Sequence, residues 1–314
     1  MPTTSDVHGV LLVDKPVGPT SFDVVQRVRR ALGVRKAGHT GTLDPNATGL
    51  LAVCLGDATR LVPFLMAGEK SYRGVVRFGL TTDTLDAAGT ALRTRDASGL
   101  THDAVRSAVS GLEVVTSQVA PMYSAKRVDG ERLHEAARRG EEVERAPFPV
   151  RILEARLESF EPPDATVFVR CSKGTYIRSL AETLGDVLGT GAHLAGLRRL
   201  SSGTLSVEDA IPLEAVERLG PGAVERLIST EEALAELPGL QLDARTAASV
   251  AFGNALGPSE HAALSLPSQE AGTLVRLVDP EGLVVAVGEA TGPEAVRLVR
   301  VLKARVGPGL HRRG

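Results

Sequence analysis

Short apolar runs separated by Gly- and Pro-rich breaks dominate the chain. Residues 10–13 are Val-Leu-Leu-Val and end in Asp14-Lys15-Pro16, which predicts a strand stopped by proline. Val24, Val25, Val28 and Leu32 then recur at helical spacing, behind Thr20 or Ser21 as cap and ahead of Gly33 as stop. Residues 38–49 are rich in Gly, Thr, Pro and Asn and predict a loop, followed by a continuous apolar strand over 50–55. A helix is expected over 57–67, a strand over 70–78, a helix over 101–111 and a strand over 166–171. Gly174-Thr175 leads into a helix with Ile177, Leu180, Leu184 and Leu188 on one face. Residues 120–149 are bracketed by prolines and carry charges of both signs, which predicts a hairpin-like projection with a helical middle. Beyond Pro238-Gly239 the character changes. A short strand and a helix near 244–252 precede strands at 274–278 and 283–287, which flank the turn Asp279-Pro280-Glu281-Gly282, and a last strand covers 296–303. This reads as a second, mostly-β module of about 75 residues.

Composition adds limits. Of 314 residues, 43% are hydrophobic and only 3% aromatic, so the core must be aliphatic. A net charge of −2 excludes a uniformly basic coat but not a local basic face. One candidate is residues 24–38, which hold Arg27, Arg29, Arg30, Arg35 and Lys36 and no acid. Cys54 and Cys171 are too few for a disulfide framework or a four-thiolate zinc site. Residues 1–6 show no basic-then-apolar leader pattern, and no run approaches the roughly 18 apolar residues of a membrane span. A soluble cytoplasmic protein is therefore expected.

Several familiar sites are absent from the sequence. The segment Gly38 to Gly49 lacks a P-loop ending, Leu194 stands where a dinucleotide fingerprint needs its third Gly, and Arg138 replaces the second His of a zincin after His134-Glu135. The seven scattered His make a metal site an unattractive reading. What remains is Asp44, in Gly41-Thr-Leu-Asp-Pro45, between a loop and a buried strand. Pro45 pushes its backbone toward extended conformations, and local grammar alone favours a structural turn. The only three tyrosines, Tyr72, Tyr123 and Tyr176, all fall in polar segments flanked by Gly, Pro or charge. They either plug surface gaps or face a planar ligand.

Six segments, in order, resemble the motif set of the TruB-type tRNA pseudouridine-55 synthases. They are Gly9-Val-Leu-Leu-Val-Asp-Lys-Pro16, Gly38-His-Thr-Gly-Thr-Leu-Asp-Pro-Asn-Ala-Thr-Gly-Leu-Leu51, Lys70-Ser-Tyr72, Gly79-Leu-Thr-Thr-Asp-Thr-Leu-Asp86, Lys173-Gly-Thr-Tyr-Ile-Arg178 and Gly191-Ala-His-Leu-Ala-Gly-Leu-Arg-Arg199. The likeness spans residues 9–230, and the tail resembles more loosely the family's C-terminal module of PUA type. Asn46 departs from the small or apolar residue common after the Asp-Pro pair.

The resemblance implies an α+β fold. It consists of a catalytic domain over residues 1–232 with a central mixed or antiparallel sheet and a thumb-like insertion at 121–150, plus a β-rich, PUA-like RNA-binding module over 233–314. It also implies isomerisation of uridine 55 in the tRNA T-loop, with no cofactor and no metal. The implied partner is the T-arm of tRNA, with no membrane, no obligate protein partner and a monomeric state. Carried over residue by residue, Asp44, Tyr72 and Arg178 are catalytic: the carboxylate attacks at C6 or C1′, the ring stacks on the flipped uracil, and the guanidinium pairs with the carboxylate. His39, Lys15, Leu197, Tyr176 and Asp86 are the expected substrate-binding or supporting residues. The alternative is a non-catalytic tRNA-binding or tRNA-folding chaperone on the same fold.

Overall fold

The computed structural model describes residues 7–124, 126–128, 130–256, 270–292 and 295–302. Its centre is a mixed sheet whose strands run, in spatial order, Ile152–Glu161, Asp164–Cys171, Lys70–Phe78, Ala192–Ser202, Ala47–Leu55, Gly9–Lys15 and Ile211–Pro212. Neighbours are antiparallel except where Ala192–Ser202 meets Ala47–Leu55 and where Gly9–Lys15 meets Ile211–Pro212. The helix Ser21–Leu32 begins in a capping box, with Thr20 and Asp23 exchanging bonds, and ends at Gly33 in the left-handed conformation. It buries Val24, Val25, Val28 and Leu32 against Leu11, Val13 and Leu51, as the spacing predicts. Helices His102–Ser110 and Ile177–Val187 pack with Val105, Val109, Leu180 and Leu184 into a second cluster around Val76 and Val167.

Two expectations need correction. The segment expected as a loop is partly paired, since Ala37–His39 forms a strand against Val53–Leu55 and the central strand starts at Ala47. The helix expected over 57–67 is a 3₁₀ segment Gly56–Leu61 and a single α-turn Val62–Leu65, because Pro63 sits early in that turn and fixes its start. The strand Ala192–Ser202 lies in the middle of the sheet although its Gly- and Arg-containing sequence has no clean alternation. In the tail, strands Gly239–Gln241, Leu274–Val278, Val284–Gly292 and Ala295–Val301 form a separate four-stranded sheet. Helix Ala244–Ala251 packs against it and contributes Ala247 and Val250 to a cluster with Val275, Leu277 and Val285. This sheet is docked on the first, because Val278, Val284, Val287 and Leu302 share a buried cluster with Val10, Leu12 and Leu50. Ala233 and Leu234, next to the expected boundary, belong to that shared cluster. Residues 303–314 of the expected tail lie outside the described residues.

One row across the central sheet positions the site. Lys15 pairs with Gly49, Gly49 with Arg199, and Arg199 with Tyr72. Gly49 has φ +95, and a Cβ there would collide with the backbone nitrogen and carbonyl of Arg199. Backbone cannot yield as a flexible side chain can, so only glycine lets these strands close. Gly49→Ala is therefore expected to cost about 3 kcal/mol or more and to lower the melting temperature by roughly 10 °C. A thermal melt matching the parent's would show that the close approach is not required.

Candidate active site

The row opens into a cleft of about 790 Å³. Tyr72 and Lys70 from one central strand and Leu197 and Arg199 from its neighbour form its floor. The loop carrying Asp44 is one wall and residues 173–178 are the other, while Phe148 and Pro149 from the base of the projection reach its rim.

The Asp44 loop is held from beneath by three buried polar side chains. Ser21 Oγ accepts from Leu43 N at 2.8 Å and donates to Leu43 O at 3.0 Å. Lys15 Nζ donates to the carbonyls of Pro16, Pro45 and Ala47 at 2.9, 3.1 and 2.7 Å. Arg199 donates to Gly41 O at 3.1 Å and Leu50 O at 2.7 Å. A loop whose carbonyls are answered by fixed cations has few ways to relax, which gives Asp44 a defined place. Burial pushes Lys15 down to about 8, opposed by Asp44 and assisted by Arg199.

Arg178 occupies the first turn of helix Ile177–Val187 and is 6% exposed. Its guanidinium lies 3.2 Å from Asp44 Oδ2 and 3.5 Å from Asp86 Oδ2, and it donates to the carbonyls of Thr84 at 3.1 Å and Tyr123 at 2.9 Å. The segment supplying Thr84 and Asp86 is strained: Leu85 between them has φ 63, the only left-handed non-glycine among the described residues. Such a conformation costs of order 1–3 kcal/mol and persists where its surroundings enforce it. Here it presents a carbonyl and a carboxylate to one guanidinium.

Asp44 keeps 43% of its side chain open to the cleft. Burial of the protein-facing part pushes its carboxyl above the usual range, Arg178 and Lys15 pull it down, and Asp86 pushes it up. Burial prevails, so the arrangement stores a carboxylate that is less stable as an anion than one in water. Tyr72 is 8% exposed, and burial raises its phenol against the lowering influence of Arg199. A phenol pushed upward stays protonated at neutral pH.

The cleft thus brings together Asp44, Tyr72, Arg178, Leu197 and Tyr176 of the eight expected site residues. Lys15, His39 and Asp86, expected as substrate-binding or supporting residues, do not line it. Lys15 is 0% exposed with its ammonium committed to three carbonyls. His39 Nδ1 accepts from Gly41 N at 3.3 Å, and burial followed by Arg199 lowers its pKa, so it behaves as a loop-bracing neutral histidine. Asp86 accepts from Thr84 Oγ1 at 2.7 Å and Ala88 N at 3.0 Å, and it reaches the site only through Arg178.

Comparison with known proteins identifies the family. The model of the TruB family pseudouridylate synthase N-terminal domain matches residues 29–177, and that of the tRNA pseudouridylate synthase B C-terminal domain matches 178–234. The chain is 43% identical over 277 residues to the tRNA pseudouridine synthase B of Syntrophotalea carbinolica, covering 88% of this chain and 90% of that one. The chain belongs to the TruB family of pseudouridylate synthases. The tRNA pseudouridine synthase B of Saccharophagus degradans is 41% identical over 304 residues, covering 94% and 96% of the two chains. Among solved structures, a Cbf5–Nop10–Gar1 complex matches with a TM-score of 0.74 at 26% identity, covering 94% of this chain and 84% of that one.

In this TruB-family enzyme, sequence reasoning overlooked Arg199 as an organising residue. It was visible only as the end of a motif, because an Arg in a strand gives no sign that it is 3% exposed. Gln118 was also missed. Its side-chain amide donates to Tyr176 O at 3.2 Å and accepts from Tyr176 N at 2.9 Å, capping the helix start that Tyr176 itself leaves without a side-chain cap. The expected basic face at 24–38 is partly answered internally, since Arg27 makes a two-pronged pair with Glu217 and Arg29 bonds Gln26. Among the described residues no four-thiolate or His/acid cluster suited to a metal is found, and no helix is long and apolar enough to cross a membrane.

Proposed function

We propose that this enzyme isomerises a uridine of the tRNA T-loop, at position 55, to pseudouridine, with Asp44 as the reacting carboxylate. The observation that carries this reading is a single half-open carboxylate, held by a buried arginine, facing a tyrosine ring across a cleft large enough for an extruded nucleotide. Flipping a base from a folded loop costs a few kcal/mol, and stacking on an aromatic ring such as Tyr72 returns about 1–3 kcal/mol per base. Leu197 supplies apolar surface beside it, and Tyr176 stiffens the wall through its edge-on contact with Phe148, ring centroids 6.0 Å apart.

In the reaction the ionised Asp44 attacks C6 of the base or C1′ of the ribose, and the N1–C1′ bond breaks. The uracil turns and a C5–C1′ bond forms. The C5 proton passes to water, N1 takes up a proton, and the bond to Asp44 breaks, so the product is an isomer of the starting uridine and the carboxylate is regenerated without an oxidant or cofactor. Asp86 acts through Arg178. Lys15, His39 and Arg199 hold the loop. Residues 233–302 are read as an RNA-binding module of PUA type, supported by their separate sheet and core.

The test is tritium release from [5-³H]uridine transcripts with no cofactor added. Release of about one tritium per tRNA, and equally from an isolated T-arm hairpin, is expected. Replacing uridine 55 with cytidine should abolish release. Tritium release that persists after that replacement would overturn the T-loop assignment. Free uracil in the products would replace isomerisation with hydrolysis. Tight binding without release would favour the chaperone reading.

A further inference from the structure

Four cationic side chains line the cleft, Lys70, Lys173, Arg178 and Arg199, against one carboxylate, Asp44. Arg178 is answered by Asp44 and Asp86. The other three make no ion pair among the described residues. Lys70 is 7% exposed and Arg199 is 3% exposed, so two of these charges are withdrawn from water with only neutral partners. Lys70 Nζ donates to the carbonyls of Met66 at 2.9 Å and Gly68 at 2.6 Å, leaving one of its three N–H donors unpaired among the described residues. Buried unpaired charge is costly and is seldom kept without a compensating ligand. The strand register explains the grouping. Lys70 and Tyr72 are two residues apart on one strand and share a face, and Arg199 is the cross-strand partner of Tyr72. Lys173 lies two residues beyond Cys171, the cross-strand partner of Lys70.

From this we infer that Lys70, with Lys173 and Arg199, forms an anion subsite that binds a backbone phosphate flanking the nucleotide extruded toward Tyr72. The inference rests on the RNA-modifying reading above. Burial, Arg199 and Lys173 push the Lys70 ammonium down to about 8, and a phosphate would relieve that pressure. The subsite assigns the cleft a direction. The reacting carboxylate stands at the Arg178 side, the base rests on Tyr72, and the phosphodiester turns past Lys70. A charge there fixes how far the nucleotide enters and discriminates against a free nucleoside.

The experiment combines Lys70→Met, Lys70→Arg and Lys173→Ala with hairpin substrates carrying a single neutral methylphosphonate on either side of the target uridine. Binding is read as a function of salt, and tritium release is read in single turnover at saturating RNA. For wild type, one of the two methylphosphonates is expected to weaken binding about tenfold. Lys70→Met should weaken the all-phosphate hairpin by a similar factor and lower the log–log salt slope by about 0.7–0.9. It should then show no further loss with that methylphosphonate. Lys70→Arg should recover most of the loss, and the surface change Lys173→Ala should give a smaller loss on the same phosphate. If Lys70 serves only to hold the Met66 and Gly68 carbonyls, Lys70→Met lowers the melting temperature but keeps the wild-type salt slope and methylphosphonate penalty, and the proposal fails. Should Lys70→Met not fold, Lys70→Gln takes its place, and an unchanged methylphosphonate penalty and salt slope in both Lys70→Gln and Lys173→Ala would reject it. A wild type that binds the hairpin but releases no tritium would instead fail the functional reading and leave the binding arms interpretable.

Discussion

Asp44→Asn is expected to reduce tritium release by about 10⁴-fold or more, the scale seen when a reacting nucleophile is removed, while leaving the hairpin bound. The amide is nearly isosteric and cannot act as the anion. The loop around it is fixed through main-chain groups of Leu43, Pro45 and Ala47, not through its carboxylate, so the fold should persist. Stability is expected to stay level or rise at neutral pH. The folded-state carboxyl is pushed above its ordinary value by burial. A raised acid stabilises the fold at pH below its unfolded value and loses that contribution as pH climbs through the folded value. At neutral pH the ionised group therefore costs stability that the neutral amide does not. Rate and melting temperature measured together separate this account from a structural one. An inactive variant that also melts well below the parent would mean that Asp44 is a structural turn residue, and full activity would remove it as nucleophile.

Arg178→Gln is expected to lower the rate by about 10³-fold and to move the acid limb of the pH–rate profile to higher pH. Activity requires the Asp44 anion, so it falls as pH drops through the folded-state value, which already lies above that of a free aspartate. Arg178 is the largest influence holding that value down, followed by Lys15. Without it, burial and Asp86 act almost unopposed and a smaller fraction is ionised at any given pH. The rate also suffers because the same guanidinium ties the Thr84 and Tyr123 carbonyls to the site. Arg178→Lys keeps a charge but not the planar fork, so it should return the acid limb toward the parent position while recovering only part of the rate. An acid limb unchanged in Arg178→Gln would show that Arg178 does not govern the ionisation of Asp44.

The reach of the sequence differs between parts of the molecule. Helix Ser21–Leu32 was legible end to end, because its capping box, its 3.6-residue apolar spacing and its glycine stop are all local signals. The strand Lys70–Phe78 and the hairpin strands of the tail were legible for the same reason. Ordered motifs placed Asp44, Tyr72 and Arg178 in one site, and they do line one cleft. Ala192–Ser202 escaped because its place in the sheet depends on long-range pairing with Lys70–Phe78 and Ala47–Leu55, which no window of a dozen residues contains. The expected long helix after Leu55 failed because Pro63, at the start of the α-turn, cannot continue an α-helix running into it from Gly56.

The sequence by itself determined which residue types are available for the chemistry, and it determined the local elements whose signals lie within a few residues. Only the tertiary structure decided what each charged side chain does. Lys15 and Arg198 are both cations in motifs, yet Lys15 is sealed beneath a loop on three carbonyls and Arg198 is paired with Asp14 at 2.7 Å. Lys70 and Arg199 are buried without any acid partner. Burial and pairing are properties of residues brought together from distant parts of the chain. They set the solvation of each charge and thereby its role, and local sequence carries no record of them.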